Sequence, residues 1–75
     1  MAKLPTDLSG RKARAALERA GFVFLRQKGS HLILRRAEPP ALVTVPDHRR
    51  LKMGTLRGII ADAGLTVDEF AQLLK

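Results

Sequence analysis

Apolar residues recur at helical spacing near both ends of the chain. Ser9 as an N-cap and Gly21 as a terminator frame the first such segment, so we predict a helix over residues 10–20. A second helix should start within residues 52–55 and end at Gly64. Thr66 and Glu69 have capping-box spacing, which predicts a short third helix over residues 67–74. The apolar stripes of the first two helices are Ala13, Ala16, Leu17 and Ala20, and Leu56, Ile59, Ile60 and Ala63.

Three apolar segments between the first two helices have the length and composition of β-strands. We predict strands over residues 22–27, 31–36 and 42–45. The turn signal Lys28-Gly29-Ser30 should join the first two strands as a hairpin, and Pro46 should stop the third. Alternation along the second strand places its side chains on two faces, with His31, Ile33 and Arg35 on one and Leu32, Leu34 and Arg36 on the other.

This order of elements predicts an α+β fold of the form α-β-β-β-α with a short C-terminal helix, in a single domain over residues 1–75. A three-stranded antiparallel sheet of this size needs one face covered, so both helix stripes should pack on the same face. The other face is then free to carry charged side chains. Double-stranded-RNA-binding domains have the same order of elements, an analogy of fold that does not settle function.

The charge of the chain indicates which class of partner it binds. The 75 residues include 14 Lys and Arg against 7 Asp and Glu, a net charge of +7. Residues 1–58 hold 13 of the basic and 4 of the acidic side chains, so the excess lies in the first three quarters of the chain. A polyanion is the expected partner, with nucleic acid ahead of an anionic membrane or an acidic protein.

Composition also excludes several classes of protein. There is no cysteine, which excludes disulfides and thiolate metal sites. No apolar run approaches the roughly 20 residues of a membrane span, and residues 1–10 lack the apolar core of a signal peptide, so we expect a cytoplasmic protein without a membrane partner. Tyr and Trp are absent, which leaves little material for base stacking. Neither a phosphate-binding glycine loop nor a nucleophile elbow is present, and no cofactor is expected.

His31 is the best-placed acid–base group if the protein is an enzyme, because it follows the tight Gly29-Ser30 turn at the start of a strand. Arg26 and Lys28 precede it, and Arg35 shares its strand face. RNA carries its own nucleophile, the 2′-hydroxyl, so cleavage needs only proton transfer and stabilisation of charge at phosphorus. Histidine can do the first and basic side chains the second, with no metal required.

Each of these residues also has a structural interpretation. His31 taken alone is better explained as a histidine packed at a hairpin end, and His48 as a solvated residue in a polar loop. Basic pairs at residues 35–36 and 49–50 are either phosphate contacts or a solvated face, and the net charge favours phosphate contacts. Gly54-Thr55 is either an anion site at a helix start or, more simply, a helix cap.

The chain resembles the HicA toxin family, also called YcfA-like, along nearly its whole length. Gly-Ser-His and Gly-Thr-Leu are each weak motifs, but their joint occurrence, in order and with the right gap, is specific. The matching residues are Leu4-Pro5, Ser9-Gly10, Ala16-Leu17, Ala20-Gly21-Phe22, residues 26–31, Val45-Pro46, His48, Gly54-Thr55-Leu56, Ile59, Ala63-Gly64-Leu65 and Phe70. Two departures are Asp47, where a small or apolar residue is common, and a lengthened loop at Glu38-Pro39-Pro40.

The resemblance implies a double-stranded-RNA-binding-like fold and the activity of an mRNA interferase in a type II toxin–antitoxin pair, blocked by a HicB antitoxin. It also implies that the catalytic histidine is His31, whereas the role of His48 stays open. We therefore expect a metal-independent endoribonuclease in which Lys28, Arg26 and Arg35 bind phosphate. Gly29 should permit the turn and Ser30 should bond phosphate or backbone. A non-catalytic RNA-binding module is the alternative, and a scaffold for an acidic protein is a third possibility.

Overall fold

The computed structural model describes residues 3–75 and contains six elements in the predicted order. These are α1 (Gly10–Arg19), β1 (Val23–Lys28), β2 (His31–Arg36), β3 (Ala41–Pro46), α2 (Met53–Asp62) and α3 (Val67–Leu73). The predicted α+β class, with α-β-β-β-α order and a short C-terminal helix, is confirmed. Boundaries differ from the predicted ones by one or two residues.

Local signals in the sequence set the ends of the helices. The Ser9 hydroxyl accepts a hydrogen bond from the backbone N–H of Lys12 at 3.1 Å and caps α1, and Thr66 with Glu69 forms a full capping box on α3. Glycines with positive φ follow α1 and α2, with values of 94° at Gly21 and 73° at Gly64. The short helices therefore begin and end where their own side chains and backbone freedom dictate.

The strands form one antiparallel sheet in the order β1-β2-β3, so β2 is central and the other two are edges. Both edge strands differ from their predictions, β1 by a shift of one residue and β3 by one extra residue at each end. β1 starts at Val23 because the Phe22 N–H donates instead to the Leu17 carbonyl at 3.1 Å, closing the end of α1. β3 includes Pro46, which lies opposite His31 across the sheet.

The core lies between the helices and one face of the sheet, which we call the covered face. Phe70 from α3 is the largest fully buried side chain and belongs to this core. The remaining core residues are Leu8, Ala13, Ala16, Leu17, Phe22, Leu32, Leu34, Val43, Val45, Leu51, Leu56, Ile59, Ile60 and Ala63. On the opposite side, which we call the open face, no helix of residues 3–75 is packed.

Candidate functional site

The open face consists of three rows of side chains that run across the strands. Cross-strand pairing places Lys28, His31 and Pro46 in the row nearest the β1–β2 turn. The middle row contains Arg26, Ile33 and Thr44, and the far row contains Val23, Arg35 and Leu42. The structure thus brings all four predicted charged or catalytic residues, Arg26, Lys28, His31 and Arg35, onto one exposed surface.

A β-bulge in β1 is the reason why Arg26 and Lys28 lie on this face. Val23 pairs with Arg35 and Phe24 with Leu34, but the register then shifts, and Arg26 pairs with Ile33. Leu25 is the extra residue. Strict alternation would have put Arg26 and Lys28 on the same side as Phe24, which contacts the helix layer, so the bulge turns both cations to the face of His31.

The turn before His31 is a two-residue connection with Gly29 at a φ of 60°. A Cβ at this position would meet no other atom within 4 Å, so the backbone conformation alone favours glycine here. Ser30 is exposed, and its backbone carbonyl accepts a hydrogen bond from the Asp47 N–H at 2.6 Å. The predicted role of Gly29 in the turn agrees with this geometry.

Asp47 fixes the turn to the rest of the fold. Besides its backbone bond to Ser30, its carboxylate accepts a hydrogen bond from Arg11 Nε at 3.2 Å and lies 3.4 Å from Gln27 Nε2. The same Gln27 amide donates to the Gly29 carbonyl at 3.0 Å. Asp47 therefore connects the start of α1, the end of β3 and both sides of the turn that carries His31.

The backbone of the segment after β3 also lies close to the backbone at the start of α1. The Gly10 N–H donates to the His48 carbonyl at 2.9 Å, and the Leu51 N–H donates to the Leu8 carbonyl at 2.8 Å. A Cβ on Gly10 would overlap the Pro46 carbonyl oxygen, so only glycine fits at the first residue of α1. The segment after β3 is consequently held against the N-terminus of α1, and the position of Pro46 beside His31 is fixed from both directions.

The basic side chains divide into those with internal partners and those without. Arg36 donates to the Ala63 carbonyl at 3.0 Å and to the Pro39 carbonyl at 2.9 Å, and its guanidinium lies over the Phe22 ring. Arg19 donates to the carbonyls of Leu73 and Lys75 at the end of α3. These two arginines stabilise the fold, and the two hydrogen bonds of Arg36 engage its Nε and Nη2 donors within the protein.

The three open-face cations are different. Within residues 3–75, no hydrogen bond or ion pair to another side chain is found for Arg26, Lys28 or Arg35. Arg26 and Lys28 lie on β1 beside the exposed His31, and Arg35 lies four residues after His31 on β2. Their donors are available to an incoming anion.

Other candidate residues lie outside this cluster. His48, Arg49 and Arg50 are exposed in the segment after β3, and only the backbone of His48 is engaged. Gly54 and Thr55 lie in the first turn of α2, where a Cβ on Gly54 would meet nothing within 4 Å. Neither position shares a row of the sheet with His31.

Two absences within residues 3–75 bear on other functions. No group of three or more His, Cys, Asp or Glu side chains is arranged to hold a metal ion within that range. None of the described helices has both the length and the apolar character needed to cross a membrane. A cavity of about 400 Å³ lies between the N-terminal segment, α1 and α3, away from His31, and its lining includes Leu8, Lys12, Arg19 and Leu73.

Sequence patterning did not identify Asp47, Gln27 or the bulge. The two adjacent apolar residues Phe24 and Leu25, which break strict alternation in β1, were the available signal for the bulge. The resemblance marked Asp47 as a departure from the expected pattern without giving its role. Its contacts join residues 11, 27, 30 and 47, a separation that no local pattern reveals.

Comparison with known proteins gives one finding. A family model described as the HicA toxin of bacterial toxin–antitoxin matches residues 10–65. A search of curated proteins finds no match to this chain. The matched range starts at Gly10, includes the whole sheet with His31, and ends just after Gly64.

Proposed function

Because the chain belongs to the HicA toxin family of bacterial toxin–antitoxin systems, we propose that it is a metal-independent endoribonuclease. In this proposal residues 1–75 act as one toxin domain that cleaves mRNA in the cytoplasm and arrests translation. A HicB-like antitoxin blocks it. The family membership supports the pairing with an antitoxin, and the arrangement of the open face supports the nuclease activity.

One observation carries the nuclease assignment: His31 is exposed beside basic side chains that have no partner among the described side chains. Lys28 lies directly opposite His31 on the neighbouring strand, and Arg26 lies one row further along the same strand. Antiparallel neighbours have Cβ atoms roughly 5 Å apart, so one phosphodiester can reach an imidazole and an ammonium group at the same time. Arg35 extends the cationic surface along the direction that a strand of RNA would follow.

The proposed reaction uses the RNA's own 2′-hydroxyl. That oxygen attacks the adjacent phosphorus, the bond to the 5′-oxygen breaks, and the products are a 2′,3′-cyclic phosphate and a 5′-hydroxyl. His31 acts as the general base that takes the 2′-hydroxyl proton or as the general acid that gives a proton to the leaving oxygen. Lys28, and then Arg26 and Arg35, stabilise the negative charge that develops on the phosphoryl oxygens. In this proposal the Ser30 hydroxyl donates a hydrogen bond to the same group or to the backbone of the turn.

The second candidate function is a non-catalytic RNA-binding module. The same unpaired cations favour it, and it does not need His31. Incubation of the purified chain with labelled RNA in EDTA separates the two functions. Cleavage to a 2′,3′-cyclic phosphate supports the proposed enzyme, whereas retention of intact RNA supports the binding module.

His31→Ala gives the sharper test. We expect the rate of RNA cleavage to fall by about 10²–10⁴-fold, which is the usual contribution of a general acid or base, and toxicity to be lost. The fold should survive because His31 is exposed. His48→Ala is the matched control, and it should retain most of the activity. Cleavage by His31→Ala at the wild-type rate would overturn the assignment, and equal losses in both variants would point to a two-histidine mechanism.

A further inference from the structure

The two edges of the sheet are built differently. The β1 edge contains the bulge at Leu25 and the charged residues Arg26 and Lys28. Bulges and edge charges are the usual devices that prevent a strand from pairing with another chain. β3 has neither, since its sequence Ala-Leu-Val-Thr-Val-Pro is uncharged and its register with β2 is regular over all six pairs.

The free backbone groups of the β3 edge can be identified from its register. The hydrogen bond from the Asp47 N–H to the Ser30 carbonyl makes that pair a hydrogen-bonded one. In an antiparallel ladder such pairs alternate, so Val45 and Val43 also direct their backbone groups toward β2. Leu42 and Thr44 therefore direct theirs outward, and no other strand pairs there in the described chain.

Proline limits this edge at both ends. Pro40 precedes β3 and Pro46 ends it, and neither has a backbone N–H. The outward N–H and C=O groups of Leu42 and Thr44 remain, which is enough to seat a short extended segment. Leu42 is 61% exposed and offers an apolar contact beside them on the open face.

Charge decides which segment fits the edge. Arg35 lies opposite Leu42 on the open face, and exposed Arg49 and Arg50 follow β3. A second copy of the chain would bring a further net charge of +7 to the same place. A segment with carboxylates at alternate positions would instead pair its backbone with β3 and place acidic side chains within reach of these cations.

We propose that the outer edge of β3 is the docking site of the antitoxin, which adds an extended acidic segment to the sheet as a fourth strand. This mode of recognition takes affinity from main-chain hydrogen bonds and specificity from alternate side chains. The added strand would lie about 10 Å from β2, so the body of the antitoxin could cover the open face from there. The inference depends on the toxin–antitoxin pairing and is independent of whether His31 cleaves RNA.

Amide hydrogen exchange tests the site directly, with the full chain and the antitoxin encoded beside its gene. We expect the amides of Leu42 and Thr44 to exchange readily in the free chain and to slow by more than about 100-fold in the complex. Binding of the antitoxin without protection of these two amides overturns the proposal. Protection that depends on concentration in the absence of antitoxin assigns the edge to a second copy and also overturns it.

Two matched pairs of variants test the mode of docking. Leu42→Lys puts a charge on the β3 edge, and Val23→Lys puts the same charge on the β1 edge in the same row, at an identical exposure of 61%. We expect antitoxin affinity to fall at least about tenfold for the first and less than about threefold for the second. Thr44→Pro removes one outward N–H while Thr44→Val keeps it, so only the proline variant should weaken binding. Equal effects within both pairs would contradict strand addition.

Discussion

Side chains that alternate along the same strands are buried on one face of the β-sheet and exposed on the other. On the covered face Leu34 and Val45 are fully buried, whereas on the open face Val23 and Leu42 are each 61% exposed. Arg35 and Arg36 show the contrast between adjacent residues. Arg36 gives its guanidinium donors to Ala63 and Pro39, and Arg35 has no partner among the described side chains.

The basic residues in this chain of net charge +7 therefore differ in whether they have partners within the fold. A cation on the covered side of the sheet closes the backbone carbonyls at the end of a helix, which satisfies groups that water would otherwise have to solvate. A cation on the open face has no partner among the described side chains. Substitutions on the two faces should therefore separate stability from function.

The largest effect on stability should come from the covered face of β2. Leu34→Ala removes a side chain that is 0% exposed and should lower the free energy of unfolding by about 3 kcal/mol. Ile33→Ala, one residue away on the open face, should cost about 1 kcal/mol or less. Urea denaturation followed by circular dichroism gives both values. Equal losses would contradict the division of the sheet into two faces.

The adjacent arginines sharpen the comparison at constant charge. Arg36→Ala should cost about 2 kcal/mol of stability through its lost hydrogen bonds, with little change in RNA affinity. Arg35→Ala should leave the melting temperature unchanged and weaken RNA binding, reducing the slope of log K against log[salt] by about one phosphate contact. Thermal melts and a salt titration of RNA binding measure the pair. The reverse pattern would exclude Arg35 as a phosphate contact.

A smaller effect on stability is expected at Asp47, which holds the turn before His31 against α1. Asp47→Ala removes the carboxylate that joins Arg11 and Gln27. Because the Arg11 side chain is 78% exposed and solvent screens its ion pair, the loss should be about 1 kcal/mol or less. We expect cleavage to slow by up to about tenfold because the turn carrying His31 loses its orientation.

Asp62→Ala is the control for this variant, since it removes one negative charge from the exposed side of α2. Both substitutions raise the net charge equally, so any general gain in RNA affinity appears in both. If cleavage rates of the two variants are the same, Asp47 has no positioning role.

Local chemistry in the sequence was sufficient to predict the elements and their order. Ser9, Thr66 and the glycines after the helices act on their immediate neighbours, so their effects can be inferred without tertiary contacts. Strict alternation in β2 likewise predicted which of its residues face the helices. The inward position of Leu32 and Leu34 is confirmed.

The missed features depend on contacts between distant parts of the chain. β1 begins one residue later than predicted because the Phe22 N–H bonds to the end of α1. The role of Arg36 depends on a carbonyl 27 residues away. The site was predicted as a set of residue types, whereas its assembly depends on the register between β1 and β2. That register is a property of the pair of strands, so the faces of Arg26 and Lys28 were not assigned from β1 alone.

The bulge at Leu25 gives this register a genetic consequence. In-frame loss of that one codon would remove the bulge and keep the other pairs, so Arg26 would still lie opposite Ile33 and Lys28 opposite His31 on the open face. Cells selected for survival while producing the toxin should therefore yield escape alleles at the histidine codon and not by loss of the Leu25 codon. A change of length at the bulge alone would then leave the open-face cations in place.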